Sequence, residues 1–429
     1  MMATTHGRAQ VADLEAAVED DGTVTALRMR VTANLGAYPI FTFIPDLTLM
    51  MGVGVYKIAN VDLRSTCVFT NSTPVAAYRG AGRPEAAYYL ERLMDIIATE
   101  LGKTPEEVRR KNFIPPSAFP YAAPTGQNYD SGEYDRALTK ALALARYAEC
   151  RAEQQARRAR GDQRLLGLGL SCYVEMCGFG PFESAVVRAE PGGTVTAYTG
   201  TSAHGQGHET TFAQIIADHL GVDFDQVVVR HGDTAAIPQG NGTGGSRSLA
   251  VGGSAILQAT LKVQDKARRI AASMLEAASE DVVFTDGRYQ VKGVPDRALT
   301  FAKIAARAYE EALPAALESG LEATEFFRPP QLVYPFGAHV AVVEVDRETG
   351  RVSVRDYFSV DDCGVRVSPL LVAGQVHGGL TQGIAQALLE EMIYDKDGQL
   401  VTGTLMEYAV PHADDLPSFT TAETVTPTP

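Results

Sequence analysis

Four short segments of this chain combine closely spaced glycines with side chains able to hold a polar ligand. The densest runs Gly200-Thr201-Ser202-Ala203-His204-Gly205-Gln206-Gly207-His208-Glu209, between an alternating apolar stretch and a helical pattern. Glycines let backbone N–H groups approach a ligand closely, and the helix that follows offers unpaired donors and a partial positive charge at its N-terminus. Gln206, between Gly205 and Gly207, adds an amide that both donates and accepts. The spacing is not G-x-G-x-x-G, so no Rossmann fingerprint follows. Taken alone, a plain strand-to-helix turn explains the glycines better than a ligand does.

The second segment spans 240–253, GNGTGGSRSLAVGG. Thr243, Gly244, Gly245, Ser246, Arg247 and Ser248 make a candidate phosphate cradle ahead of a helix. No lysine stands at Walker spacing, and a disordered surface loop explains the segment equally well. The third, GQVHGGLTQG at 374–383, places Gln375 and Gln382 among glycines leading into an apolar helix. Helix packing accounts for its glycines and poorly for its glutamines. The fourth, AYRGAGRPEA at 77–86, carries Arg79, a planar and permanently charged donor fork suited to an oxyanion or carbonyl. Its alternative is a turn whose arginines pair with local acids.

The elements that must position these segments are mixed. A DDG turn between alternating stretches predicts a hairpin within 12–70. A helix is expected over 84–101, and Thr104-Pro105-Glu106-Glu107 gives a capping box for a short helix ending at Asn112. Pro115, Pro116, Pro120 and Pro124 mark a linker, which sets domains at 1–120 and 121–429. An Ala-, Leu- and Arg-rich stretch predicts one long helix over 133–160, with Arg151, Arg157, Arg158 and Arg160 on a solvated face near its end. Strands follow at 166–175, 184–190 and 194–199, then a helix to Leu220, a strand at VVVR and a helix over 254–278. Two further strand pairs flank Asp286-Gly287 and Asp346–Gly350, and a final helix covers 374–391. Hairpins with interposed helices indicate an α+β fold rather than a doubly wound parallel sheet.

Composition narrows the function. With 38 Lys and Arg against 52 Asp and Glu, the net charge of −14 argues against nucleic acid or an anionic membrane as the main partner. No apolar run nears the ~20 residues of a membrane span. The start MMATTHGRAQ lacks the regions of a signal peptide. Five scattered cysteines without a C-x-x-C pair suit a reducing cytoplasm and supply neither zinc nor iron–sulfur ligands. Cys172 and Cys177 read as small buried hydrophobes.

In order and spacing, the segments together resemble one family. From ATTHGRAQ through ELGKTPEEVRRKNFI and GTSAHGQGHETTFAQII to VDDCGVRVSPLLVAGQVHGGLTQGIAQALLEE, the chain is similar to the molybdopterin-binding large subunits of xanthine dehydrogenases and aldehyde oxidases. Within them it most resembles those labelled aerobic carbon-monoxide dehydrogenase large chain. The resemblance implies two molybdenum-cofactor-binding domains of mixed sheets flanked by helices, the first incomplete. It implies molybdopterin with molybdenum, in bacteria usually as the cytosine dinucleotide. FAD and 2Fe–2S clusters would reside on partner subunits, the family habit being a dimer of heterotrimers.

By motif match, Gly205, Gln206 and Gly207 would lie against the pterin. Thr243, Gly244, Gly245, Ser246 and Ser248 would contact the cofactor's polar parts. Gln375 would stand near metal and pterin, and Arg79 would overlook the substrate side. No protein residue here is expected to ligate the metal. The implied reaction hydroxylates a substrate with water as oxygen source. Carbon-monoxide dehydrogenases carry a copper-holding cysteine in the Arg79 loop where this chain has Gly80, and glycine has no thiolate. The expected substrate is therefore an aldehyde or N-heteroaromatic, with carbon monoxide disfavoured. The family's GGGFG loop and its Gly-x-Gly-Glu segment, bearing the general base, have no counterpart among these residues. Separate polypeptides supplying those parts, a non-catalytic fragment, and a cofactor-holding module without turnover stay open. Glu390 and Glu391 are read as structural or exposed positions on the last helix.

Overall fold

The computed structural model describes residues 4–310, 313 and 317–428. The chain forms two compact units. One comprises 1–175, 334–365 and 373–429; the other comprises 176–333 and 366–372. Both are α+β with mixed sheets, as the alternation of hairpin and helix signals requires.

In the first unit, Gln10–Val18 pairs antiparallel with Val24–Asn34, which pairs in parallel with Asn60–Val68. The turn between the first two strands holds because Thr23 N–H reaches the Asp21 carboxylate and Gly22 takes φ +94°. A second sheet runs Phe419–Glu423, Val352–Asp362, Phe336–Asp346, Arg164–Val174, with only its first pairing parallel. The helix Pro105–Asn112 starts where the capping box predicts, Thr104 and Glu107 exchanging both bonds. Helix Arg83–Glu100 packs against it around a buried polar knot. There Arg109 donates to Glu91 and Asp95, and Glu91 also accepts from Tyr56 and from the Cys172 N–H.

The expected helix over 133–160 is two: Tyr134–Leu144 and Tyr147–Arg160, separated by Arg146 at φ +47°. The first buries Tyr134, Ala137, Leu138 and Ala141; the second buries Tyr147, Cys150 and Gln154. At 100° per residue an unbroken helix would put these two sets on opposite faces, so the break re-phases the apolar stripe. The arginines expected on a solvated face are mostly paired, Arg157 with Glu153 and Glu344, and Arg160 with Asp162.

In the second unit one sheet runs Leu321–Phe327, Glu183–Ala189, Val195–Thr199, Val227–Arg230, with only its last pairing parallel. Helices His208–Leu220 and Ser254–Met274 cover it, and Phe212, Ile216, Ile256, Ala259 and Val263 meet Ala185, Val187, Val195 and Ala197 in the core. A small antiparallel sheet, Val282–Thr285, Arg288–Val291 and Val294–Leu299, flanks them. Cys172 and Cys177 are buried, while Cys67 and Cys363 are exposed. Among the described residues no helix is long and apolar enough to cross a membrane.

Candidate functional site

Two of the four glycine segments meet in the second unit. Strand Val195–Thr199 ends at Gly200, and the turn runs to Gly207, which caps helix His208–Leu220 at φ +74°. Gly205 sits at φ +101° with nothing within 4 Å of where a Cβ would project. Gly207 differs, because a Cβ there would lie 2.6 Å from Leu371. Gln206 accepts the His204 N–H with its side-chain carbonyl oxygen, a bond that does not use its NH2. His208 opens the helix in a buried position, its Nδ1 without a partner. Burial pushes its pKa below the ordinary imidazole value, against the pull of Glu209, so it is a neutral group.

The loop carrying Thr243, Gly244, Gly245, Ser246 and Ser248 is fastened to this turn. Ser202 N–H donates to Thr243 Oγ1 at 3.1 Å, and Thr243 Oγ1 lies 3.0 Å from Ser248 Oγ. From Ser202 Oγ the chain of bonds continues to His231 Nδ1 at 3.3 Å, and from His231 Nε2 to Glu209 at 2.7 Å. That bond from His231, with a backbone N–H, holds the Glu209 carboxyl below its usual range. A Cβ at Gly242 or Gly244 would meet open space, whereas one at Gly245 would lie 2.7 Å from Phe179. Ser246 is exposed at φ +53°. Arg247 corrects the phosphate-cradle expectation. Its guanidinium is buried and spent inside the protein, on Glu183 and the carbonyls of Phe179, Phe182 and Gly242.

The other two segments meet in the first unit. Gly80 (φ +90°), Ala81 (φ +39°) and Gly82 (φ +88°) lead into helix Arg83–Glu100. A Cβ on Gly80 would fall 2.3 Å from Pro84 Cγ, so glycine there is dictated by the turn itself. Arg79 is exposed, and its carbonyl accepts from Arg8, which also bonds Glu85 at 2.8 Å and Gln386 at 3.0 Å. The final helix runs Pro369–Leu388, beginning about a turn earlier than expected, so Gln375 lies within it rather than leading into it. Ser368-Pro369, a cap-like residue followed by Pro at N1, was the signal for that start.

On this helix Gln375, Gly378, Gly379, Gln382 and Gln386 share one face by their spacing. A Cβ at Gly378 would lie 3.8 Å from Arg79 Nη1, while Gly374, Gly379 and Gly383 face open space rather than the close packing that would explain them. Gln382 Oε1 is buried without a partner. Glu390 and Glu391 fall beyond the helix, a second correction; Glu390 lies beside Tyr78 and Tyr408, helping to raise both phenol pKa values after burial. The reading from sequence missed Arg8, Gln386, Glu183 and His231, none of which sits inside a glycine motif. Only His231 carried a signal, standing directly after the VVVR strand at the same sheet end as Gly200.

The donor set consists of backbone N–H groups, hydroxyls and amides around glycines that leave open space. It suits a polar heterocycle with phosphates. Among the described residues no three His, Cys, Asp or Glu side chains gather as a metal site. The donor set is that of a binder of a polar organic cofactor. The chain belongs to the molybdopterin cofactor-binding family of xanthine dehydrogenase and aldehyde oxidase large subunits: two molybdopterin cofactor-binding domain models match residues 1–113 and 140–417.

It is 42% identical to the carbon monoxide dehydrogenase large chain of Hydrogenophaga pseudoflava, over 97% of this chain and 54% of that protein. It is 32% identical to the nicotine 6-hydroxylase large subunit of Paenarthrobacter nicotinovorans, over 100% of this chain and 54% of that one. Quinoline 2-oxidoreductase from Pseudomonas putida 86 superposes with a TM-score of 0.95 at 38% identity, covering 100% of this chain and 56% of its own. The chain thus spans about half the length of the relatives it matches.

Proposed function

We propose that this chain is the central part of a molybdenum hydroxylase large subunit, acting on an aldehyde or N-heteroaromatic carbon with water as oxygen source. The observation that carries it is the fastening of the Gly205 turn to the Thr243–Ser248 loop, leaving glycines with open space beside hydroxyl and amide donors. The division for cofactor binding falls at 120/121, a reading supported by the separate domain models on either side. Gly205, Gln206 and Gly207 take the pterin. Thr243, Gly244, Gly245, Ser246 and Ser248 take the phosphates and nucleotide, in the cytosine dinucleotide form. Gln375 and Arg79 serve the metal and substrate sides respectively.

When bound, the cofactor supplies the two-electron redox centre. The chain's own part is orientation and charge. Gln206 NH2 and the backbone donors around Gly205 hold polar ring edges, the first turn of helix His208–Leu220 favours anionic groups, and Arg79 steadies a carbonyl or ring nitrogen. Electrons leave to separate 2Fe–2S and FAD subunits in the cytoplasm, where the thiols stay reduced. Carbon monoxide is disfavoured as substrate because Gly80 offers no thiolate and its turn has no room for one.

The test is co-expression with the polypeptides encoded on either side, followed by assay of molybdenum, of CMP released by hydrolysis, and of dye reduction with aldehydes, quinoline-type heterocycles and carbon monoxide. Stoichiometric molybdenum with heterocycle- or aldehyde-dependent reduction supports the reading. Stoichiometric copper with carbon-monoxide-dependent reduction overturns the substrate, and a metal-free inactive complex overturns the function. The exposed Leu370 (84%), Leu405 (76%) and Met406 (91%) favour a second reading, in which the chain holds cofactor and gains turnover only when other polypeptides cover such residues.

A further inference from the structure

We propose that Glu183 and Arg247 form a positioning pair that sets the backbone of both glycine segments before any ligand arrives. This rests on the reading of Thr243–Ser248 as the cofactor's polar cradle and deepens it. Glu183 is 0% exposed and Arg247 4%. Arg247 Nη1 donates to Glu183 at 2.5 Å and to the Gly242 carbonyl at 2.6 Å. Its Nε and Nη2 reach the carbonyls of Phe179 and Phe182, each at 2.6 Å. Glu183 in turn accepts the N–H of Ser184 at 3.1 Å and of Asn241 at 3.3 Å. One ion pair therefore grips the loop at Gly242 and Asn241 and the strand end at Phe182 and Ser184.

The glycines follow from this pair. A Cβ at Gly200 would fall 2.0 Å from Glu183 Oε1 and 2.5 Å from the Cα of Gly240. One at Gly180 (φ +102°) would fall 3.1 Å from Arg247 Nε. Gly180, Gly200 and Gly240 thus admit the carboxylate, the guanidinium or each other's backbone, while Gly205, Gly242 and Gly244 face open space. The glycines of one motif split into those that make room for the pair and those left for a ligand. A buried pair with four of the five guanidinium N–H groups directed fixes a loop shape that a neutral side chain cannot reproduce, and a loop already shaped loses less freedom on binding.

Hydrogen exchange on the 429-residue chain without cofactor tests this. In Glu183→Gln and Arg247→Lys, amides 241–248 and 201–206 should exchange roughly tenfold faster or more, with helix Ser254–Met274 unchanged. Should either single variant fail to fold, the doubly neutral E183L/R247M keeps the question answerable, since it strands no charge. Loop exchange within about twofold of wild type in that variant overturns the proposal. So does acceleration spread evenly over the helix and strand Glu183–Ala189, which a merely structural pair would give. In the assembled complex, CMP per chain should fall in the same variants. Loosened loops with no CMP even in wild type would sustain the positioning pair and sink the cofactor reading.

Discussion

Gly200 and Gly205 stand five residues apart in one turn, and the same added methyl should have different consequences at each. At Gly205 the Cβ enters open space, and the cost is that of an L-residue at φ +101°, about 1–2 kcal/mol. At Gly200 the Cβ would overlap Glu183 Oε1 at 2.0 Å and the Cα of Gly240 at 2.5 Å. Overpacking alone costs about 1–3 kcal/mol. Pushing the buried carboxylate off Arg247 adds a broken buried pair, about 3–5 kcal/mol. Gly200→Ala should therefore lose several times the stability lost by Gly205→Ala, and in a unit of ordinary stability it approaches unfolding. The chain has no tryptophan, so urea unfolding is followed by circular dichroism. Cofactor content separates the two further, with Gly205→Ala folded but depleted. Equal costs at the two positions, or a neutral Gly200→Ala, would refute the assignment of one glycine to the fold and the other to the ligand.

Gly80→Cys should be destabilised by its overlap with Pro84 at 2.3 Å and should retain no copper by metal analysis; a stable variant binding stoichiometric copper would contradict the geometry. Gln206→Ala loses one bond in an exposed turn, so the unfolding free energy from urea melts should change by less than about 1 kcal/mol while molybdenum and CMP content falls severalfold. Glu91→Gln leaves Arg109 buried with only Asp95 as counter-charge, and should cost about 3 kcal/mol, the low end for a broken buried pair; urea melts check this. The Glu209 pKa is depressed in the folded chain, so its contribution is present above the ordinary carboxylate range and lost as pH falls through the folded value. His231→Gln should flatten that part of the stability–pH curve below about pH 5, and an unchanged curve would remove His231 as the cause.

Local chemistry was legible in the residues themselves. Thr104, Pro105 and Glu107 lie within one turn of each other, so their capping box needed no tertiary partner. The strand-to-helix position of Gln206 and the placement of Thr243 before a helix were likewise readable, because alternation and helical period depend only on neighbours. The break at Arg146 was not, since propensity along 133–160 is uniformly helical and only the burial of Tyr147, Cys150 and Gln154 against their own unit forces the change of phase. Nor could sequence say which glycines admit a ligand. Gly200 and Gly205 look alike in a string of letters, and only the folded chain brings Glu183 to one and nothing to the other. Arg247 likewise carries a charge that suits a phosphate, and it is spent inside because Glu183, 64 residues away, arrives beside it through the sheet.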